Sequence, residues 1–144
     1  MKIEKMTAAH LDAVCRLEND CFSHPWSRTS LESELNNPNS LFLVAVEGDA
    51  VTGYVGMNAV LDEGYIYNVA VAEPYRRRGV GSALIRELVT HGRKNGFAFL
   101  TLEVRESNAA ARSLYGHFGF VKAGERKNYY SDPAENAVLM TLYF

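Results

Sequence analysis

The run Val69-Ala70-Val71-Ala72-Glu73-Pro74-Tyr75-Arg76-Arg77-Arg78-Gly79-Val80-Gly81-Ser82 constrains this chain more than any other segment. A β-branched strand feeds a polar loop. The end of that loop is also the first turn of a helix carrying Val80, Leu84, Leu88 and Val89 as one apolar stripe. The first turn of a helix leaves backbone N–H groups without intrahelical partners and holds the positive end of the macrodipole. Gly79 and Gly81 remove the Cβ atoms that would keep a ligand off this backbone, Ser82 adds a hydroxyl, and three arginines stand just upstream. Such a turn is an anion cradle suited to a pyrophosphate. From the residues alone, other readings stay open. A dinucleotide loop asks for G-x-G-x-x-G and a later acid; Glu103 nearly meets the second condition, but Leu84 occupies the third glycine position. No G-x-x-x-x-G-K-[ST] run exists. A plain basic turn or a short nucleic-acid patch at Arg76–Arg78 also fits these residues.

The flanking patterns set the class. Lys2 to Met6 alternates as a short strand, and Thr7 caps a helix with Leu11, Val14, Leu17 and Glu18 at helical spacing. Pro25-Trp26-Ser27 breaks that helix, and Ser27 caps a second one bearing Leu31 and Leu35, ended by Asn36-Asn37-Pro38-Asn39. Three antiparallel strands follow: Leu41 to Glu47, Val51 to Leu61 and Tyr65 to Val71, turning at Glu47-Gly48-Asp49 and Asp62-Glu63-Gly64. After the cradle helix, Phe99 to Val104 reads as a buried strand. Ser107 is expected to cap a further helix that Gly119 closes, and strands Phe120 to Tyr130 and Ala137 to Phe144 complete the chain. The class is α+β, with a strand–helix–strand crossover following the hairpins.

Composition narrows the function. A length of 144 residues without linker or repeat fits one domain, 1–144. A formal charge of −2 argues against a nucleic-acid coat, which needs a basic surface. No apolar run approaches the roughly 18 residues that span a bilayer, and Met1 to Met6 shows no signal-peptide pattern, so no membrane association and a cytoplasmic location are expected. Cys15 and Cys21 are poorly spaced for a disulfide, and Cys21 and His24 lack a second ligand pair, so no metal is expected.

Arg76-x-x-Gly79-x-Gly81 after Asn68-Val69-Ala70-Val71 resembles motif A of the GNAT acetyltransferases. Leu102-Glu103-Val104-Arg105-x-Ser107-Asn108, Leu114-Tyr115-x-x-Phe118-Gly119-Phe120, Arg126-x-x-Tyr129-Tyr130 and Cys21-Phe22-x-x-Pro25-Trp26-Ser27 are similar to the RimI-type ribosomal-protein alanine N-acetyltransferases within that family. The resemblance covers essentially the whole chain. It implies the GNAT fold, a mixed, mostly antiparallel sheet of about seven strands with four helices, and acetyl-CoA as co-substrate. It implies that the amides of Arg77 through Ser82, with Arg76, Arg78, Gly79, Val80 and Gly81 among the cradle residues, hold the coenzyme pyrophosphate. It further implies that Val69, Ala70 and Val71 pair with the pantetheine arm, which Asn108 also contacts.

The resemblance also distributes the chemistry. Glu103 is the expected general base, acting through water, and Tyr115 the expected general acid; as alternatives, Glu103 is a surface carboxylate paired with Arg105 or Arg126, and Tyr115 a core aromatic. Trp26, Tyr129 and Tyr130 are the expected acceptor walls. An α-amine titrates near 7.8 and a lysine near 10.4, so deprotonating lysine costs roughly 3.5 kcal/mol more, which favours a peptide N-terminus. The implied client is the N-terminal alanine of the eighteenth small-subunit ribosomal protein, modified by a monomer or weak dimer. A small-amine acetyltransferase (aminoglycoside or polyamine) and a non-catalytic coenzyme-A-binding module remain as alternatives.

Overall fold

A computed structural model describes residues 1–144. Seven strands form one sheet in the order β1-β2-β3-β4-β5-β7-β6. They are β1 (Lys2–Lys5), β2 (Ser40–Glu47), β3 (Ala50–Val60), β4 (Glu63–Val71), β5 (Phe99–Arg105), β6 (Val121–Tyr130) and β7 (Glu135–Tyr143). Four helices accompany them: α1 (Leu11–Cys21), α2 (Arg28–Glu34), α3 (Val80–Lys94) and α4 (Ala109–His117). Every strand pair is antiparallel except β4 with β5, which the α3 crossover joins in parallel.

Two apolar layers hold the helices to opposite faces. Leu11, Val14 and Leu17 of α1 and Leu31 of α2 bury against Phe42, Val44, Tyr54 and Ala70. On the other face, the Val80, Leu84, Ile85, Leu88 and Val89 stripe of α3 packs on Leu43, Val55, Met57, Ile66, Leu100 and Leu102, with Tyr115 of α4 in the same core. Along β5 the burial alternates, so Leu100, Leu102 and Val104 face α3 while Thr101, Glu103 and Arg105 face the side of α1 and α2.

The expected element order stands, with local corrections. The turn before β4 lies at Leu61–Asp62, with Leu61 in the left-handed region (φ 56°), so Glu63 and Gly64 already belong to the strand. Asn108, not Ser107, caps α4: its Oδ1 accepts from the Ala111 N–H at 3.1 Å. Both residues are good caps by type, and only the backbone path selects between them. A single turn of tighter helix (Ala8–His10) separates Thr7 from α1, and the Thr7 N–H donates to His10 Nδ1 at 3.0 Å.

Candidate active site

β4 and β5 are paired only from Glu63↔Phe99 to Tyr65↔Thr101; beyond that they part. Just past the split, β4 carries a bulge in which Tyr67 and Asn68 stand opposite the single residue Gly56 of β3. The β4 edge from Val69 to Val71 therefore stays bonded to β3 on one side and is open to an added strand on the other. A cleft of about 610 Å³ opens there, a size suited to a cofactor-like ligand. Its walls are Val69, Ala70 and Val71, the loop and first turn of α3 from Tyr75 to Ser82 except Arg78, the α4 residues Ala110, Ala111, Leu114 and Tyr115 with the cap Asn108, and Cys21 and Phe22 after α1.

The floor of this cleft presents unpaired backbone donors. The backbone N–H groups of Arg77 through Ser82 donate to no carbonyl of the chain; the first helical bond is that of Ala83 to Gly79 at 3.0 Å. Left-handed backbone at Arg77 (φ 65°) and Gly79 (φ 80°) turns this run into a concave set of donors at the positive end of α3. Glycine adopts the conformation at position 79 without strain. At Gly81 the requirement is space: a Cβ there would lie 3.2 Å from Leu114 Cδ2 and 3.8 Å from Val71 Cγ2. Gly81→Val is therefore expected to crowd the cradle and weaken acetyl-CoA binding about 10- to 100-fold, the equivalent of 1–3 kcal/mol of overpacking. Calorimetric titration checks this, and an unchanged dissociation constant contradicts the cradle.

The three arginines do not act alike. Arg76 turns back into the protein: its Nε donates to the Val71 carbonyl at 3.0 Å and an Nη lies 3.6 Å from Cys21 Sγ, tying the loop to β4 and α1. Arg78 lies over the Tyr75 ring, 5.7 Å from its centroid, and does not line the cleft. Only the Arg77 side chain borders the cleft without such an engagement. The donors this loop leaves unengaged are thus mainly main-chain N–H groups. Asn108 borders the cleft as well, but its oxygen is spent on the α4 cap and its amide NH₂ is what remains for a ligand.

Tyr115 is 6% exposed, its ring among core residues and 5.9 Å from that of Phe120. Tyr115 borders the cleft, and its phenol has no hydrogen-bond partner within the chain. Burial, with a smaller contribution from Tyr130, pushes the phenol well above its ordinary value, so it stays protonated.

Glu103 lies outside the cleft, on the α1 and α2 side of the sheet. Arg126 Nε donates to Glu103 Oε1 at 3.1 Å, so the alternative surface ion pair is formed here. The Tyr129 phenol is raised first by the nearby Glu103 carboxylate and then by burial. Tyr130, under the Arg105 guanidinium at 4.5 Å, is pushed up to about 12 by burial first and by the Glu103 charge second. Tyr130 is coupled electrostatically to both, since the Glu103 charge raises it and it raises Tyr115. The two expected proton-transfer residues thus approach the β4–β5 split from opposite faces. Trp26 stacks at an angle on Tyr67 (5.1 Å) and Phe42 (5.9 Å) on the Glu103 side of the sheet. Two loops close over that side: Ser23 Oγ donates to the Asp132 carbonyl at 2.6 Å, and His24 Nε2 lies 2.9 Å from Ser131 Oγ and 3.3 Å from Asp132 Oδ2.

Sequence reasoning passed over three features. Tyr67 joins the aromatic wall, although as a strand residue it carried no distinguishing signal. Cys21 and Phe22 border the cleft because α1 ends there. Glu18 is wholly buried and meets Trp26, Tyr54 and Asn68; its signal was a carboxylate inside an apolar helical stripe. No helix of the chain is long and apolar enough to cross a membrane.

The strand split and the donor-rich start of α3 lie in a chain that belongs to the acetyltransferase (GNAT) family, whose model matches residues 11–120. That family uses acetyl-CoA as co-substrate. Among its relatives is the ribosomal protein bS18-alanine N-acetyltransferase of Escherichia coli strain K12, 36% identical over 142 residues, covering 97% of this chain and 95% of that protein. The crystal structure of the ribosomal-protein-S18-alanine N-acetyltransferase from Escherichia coli superposes with a TM-score of 0.91 at 35% identity, covering 99% of this chain and 92% of that one. The Ard1 structure from Thermoplasma volcanium gives a TM-score of 0.89 at 27% identity, covering 99% and 96%.

Proposed function

We propose that this protein transfers the acetyl group of acetyl-CoA to the α-amine of the N-terminal alanine of ribosomal protein bS18. The observation that carries this reading is the similarity to bS18-alanine N-acetyltransferases over nearly the full length of both chains. The site geometry agrees with it. β4 leaves β5 between the donor cleft and the aromatic acceptor side, so the split offers an amine a route to the thioester.

In this reading the pyrophosphate lies on the amides of Arg77 through Ser82, and the pantetheine arm runs along Val69 to Val71 toward Tyr115. The α-amine, its proton passed through water to Glu103, attacks the thioester carbon. The C–N bond forms, the C–S bond breaks, and the sulfur takes a proton from Tyr115. A buried phenol is a weak acid, but the same low-dielectric surroundings raise the proton affinity of the departing thiolate, so the donation stays matched. Trp26, Tyr129 and Tyr130 flank the peptide end. The acceptor is an α-amine because a carboxylate acting through water suits the group that deprotonates about 2.6 units more easily than lysine.

The test is mass spectrometry of a peptide with the N-terminal sequence of bS18 after incubation with the protein and acetyl-CoA. One acetyl group on the terminal nitrogen is the expected product. Acetylation of free aminoglycosides or polyamines with the peptide untouched would replace this reading with the small-amine one.

A further inference from the structure

Glu18 is a carboxylate with no exposed surface and no cation beside it. Its Oε1 accepts from the Trp26 backbone N–H at 2.7 Å and from Asn68 Nδ2 at 3.2 Å; its Oε2 accepts from Asn68 Nδ2 at 3.0 Å and from the Tyr54 hydroxyl. The Trp26 N–H and the Asn68 NH₂ can only donate and the Tyr54 hydroxyl is placed to donate, so the site favours a group that accepts. Burying a carboxylate among neutral donors costs free energy that an apolar side chain in the same helical stripe would not incur. Stability alone therefore does not account for glutamate at this position.

The partners show what the carboxylate holds together. Asn68 is the second residue of the β4 bulge and directly precedes Val69, the first residue of the open edge. Trp26 belongs to the loop between α1 and α2 and carries the aromatic acceptor wall with Tyr67, the other residue of the bulge. Cys21 and Phe22, less than two turns after Glu18, border the donor cleft. One buried group thus fixes the donor strand and the acceptor wall to each other through α1.

We propose that Glu18 is a positioning residue for acetyl transfer: by clamping Asn68 in the bulge and the Trp26 main chain in the loop, it sets the alignment of the acceptor amine on the thioester. This rests on the transfer reaction proposed above and adds a determinant of its rate that touches neither substrate. Its effect appears in the rate of the aligned complex more than in the affinity for acetyl-CoA, whose pyrophosphate cradle lies in a different element.

Three variants test it, with steady-state kinetics on the bS18 peptide, acetyl-CoA titration and thermal melting measured for each. Glu18→Gln keeps the shape and one acceptor oxygen; Asn68→Ala cuts the tether to the bulge at a half-buried site; Tyr54→Phe removes only a hydroxyl bonded to Glu18 and keeps the ring on Phe42 and the main-chain pairing with Ala70. The expected result is a fall in kcat of about 10- to 100-fold for Glu18→Gln and Asn68→Ala, as misalignment by a fraction of an ångström to 1 Å produces. Their acetyl-CoA dissociation constants should stay within about threefold, a shift below the tenfold step of 1.4 kcal/mol. Tyr54→Phe should melt earlier yet keep its kcat. The double variant Glu18→Gln/Asn68→Ala should be no slower than the slower single one, since both break the same clamp. Unchanged kcat in folded Glu18→Gln and Asn68→Ala would overturn the proposal and leave Glu18 a structural group. If Glu18→Gln does not fold, Asn68→Ala decides alone by the same criterion. A wild-type protein inert on the peptide would instead defeat the functional reading itself.

Discussion

Tyr115→Phe is expected to slow acetyl transfer about 10²- to 10⁴-fold, the range removed with a positioned general acid. The substitution isolates the chemistry unusually well. The hydroxyl has no hydrogen-bond partner within the chain, so its loss leaves no donor or acceptor unpaired, and the ring that packs near Phe120 remains. The melting temperature should therefore hold while turnover collapses. Acetyl-CoA affinity should change little, because the cradle amides lie at the start of α3 and not on α4. Kinetics with the bS18 peptide, paired with a thermal melt, decide the matter. Normal turnover in a destabilised protein would make Tyr115 a core aromatic and no more.

Glu103→Gln should bring a loss of similar size with a different signature. As the base, Glu103 collects the proton that the α-ammonium must lose; without it, only amine already neutral in solution reacts. The rate of the variant should keep climbing with pH through the amine's own titration near 7.8, whereas the wild type levels off earlier. Stability should move by no more than about 1 kcal/mol, since the Arg126 pair it breaks is partly exposed. The Arg126 contact is compatible with a base: it occupies Oε1 in the structure and leaves Oε2 without an ion-pair partner. Kinetics across pH 6 to 9 (roughly the span bracketing the amine's titration) separate the outcomes. A Gln variant with wild-type rate and profile would reduce Glu103 to the surface carboxylate that its ion pair already makes plausible.

Legibility in the sequence followed the physical range of each signal. Periodicity and turn chemistry are local, so the seven strands, four helices and the crossover through α3 could be read from 144 letters. The unpaired donors at the start of α3 were legible for the same reason: Gly79, Gly81 and an amphipathic helix start act through their own backbone. What long side chains reach was not legible. Arg76 and Arg78 read as equal members of a basic triplet, yet one braces Val71 and the other covers Tyr75. Leu61 at positive φ moved a turn that Asp62-Glu63-Gly64 chemistry started one residue later, because pairing across β3 and β4 outweighs a side chain's local preference. Glu18 was hidden by its spacing: at the end of the run Leu11, Val14, Leu17, it reads as a stripe residue until Asn68, fifty positions away, is seen beside it.

Everything in the account depends on a diphosphate resting on the free amides at the start of α3. A crystal structure of the protein with acetyl-CoA tests this most directly. The account predicts the pyrophosphate oxygens within hydrogen-bond distance of the backbone N–H groups of Arg77 through Ser82, with the thioester at the β4–β5 split beside Tyr115. A coenzyme bound elsewhere, with that turn empty, would contradict it.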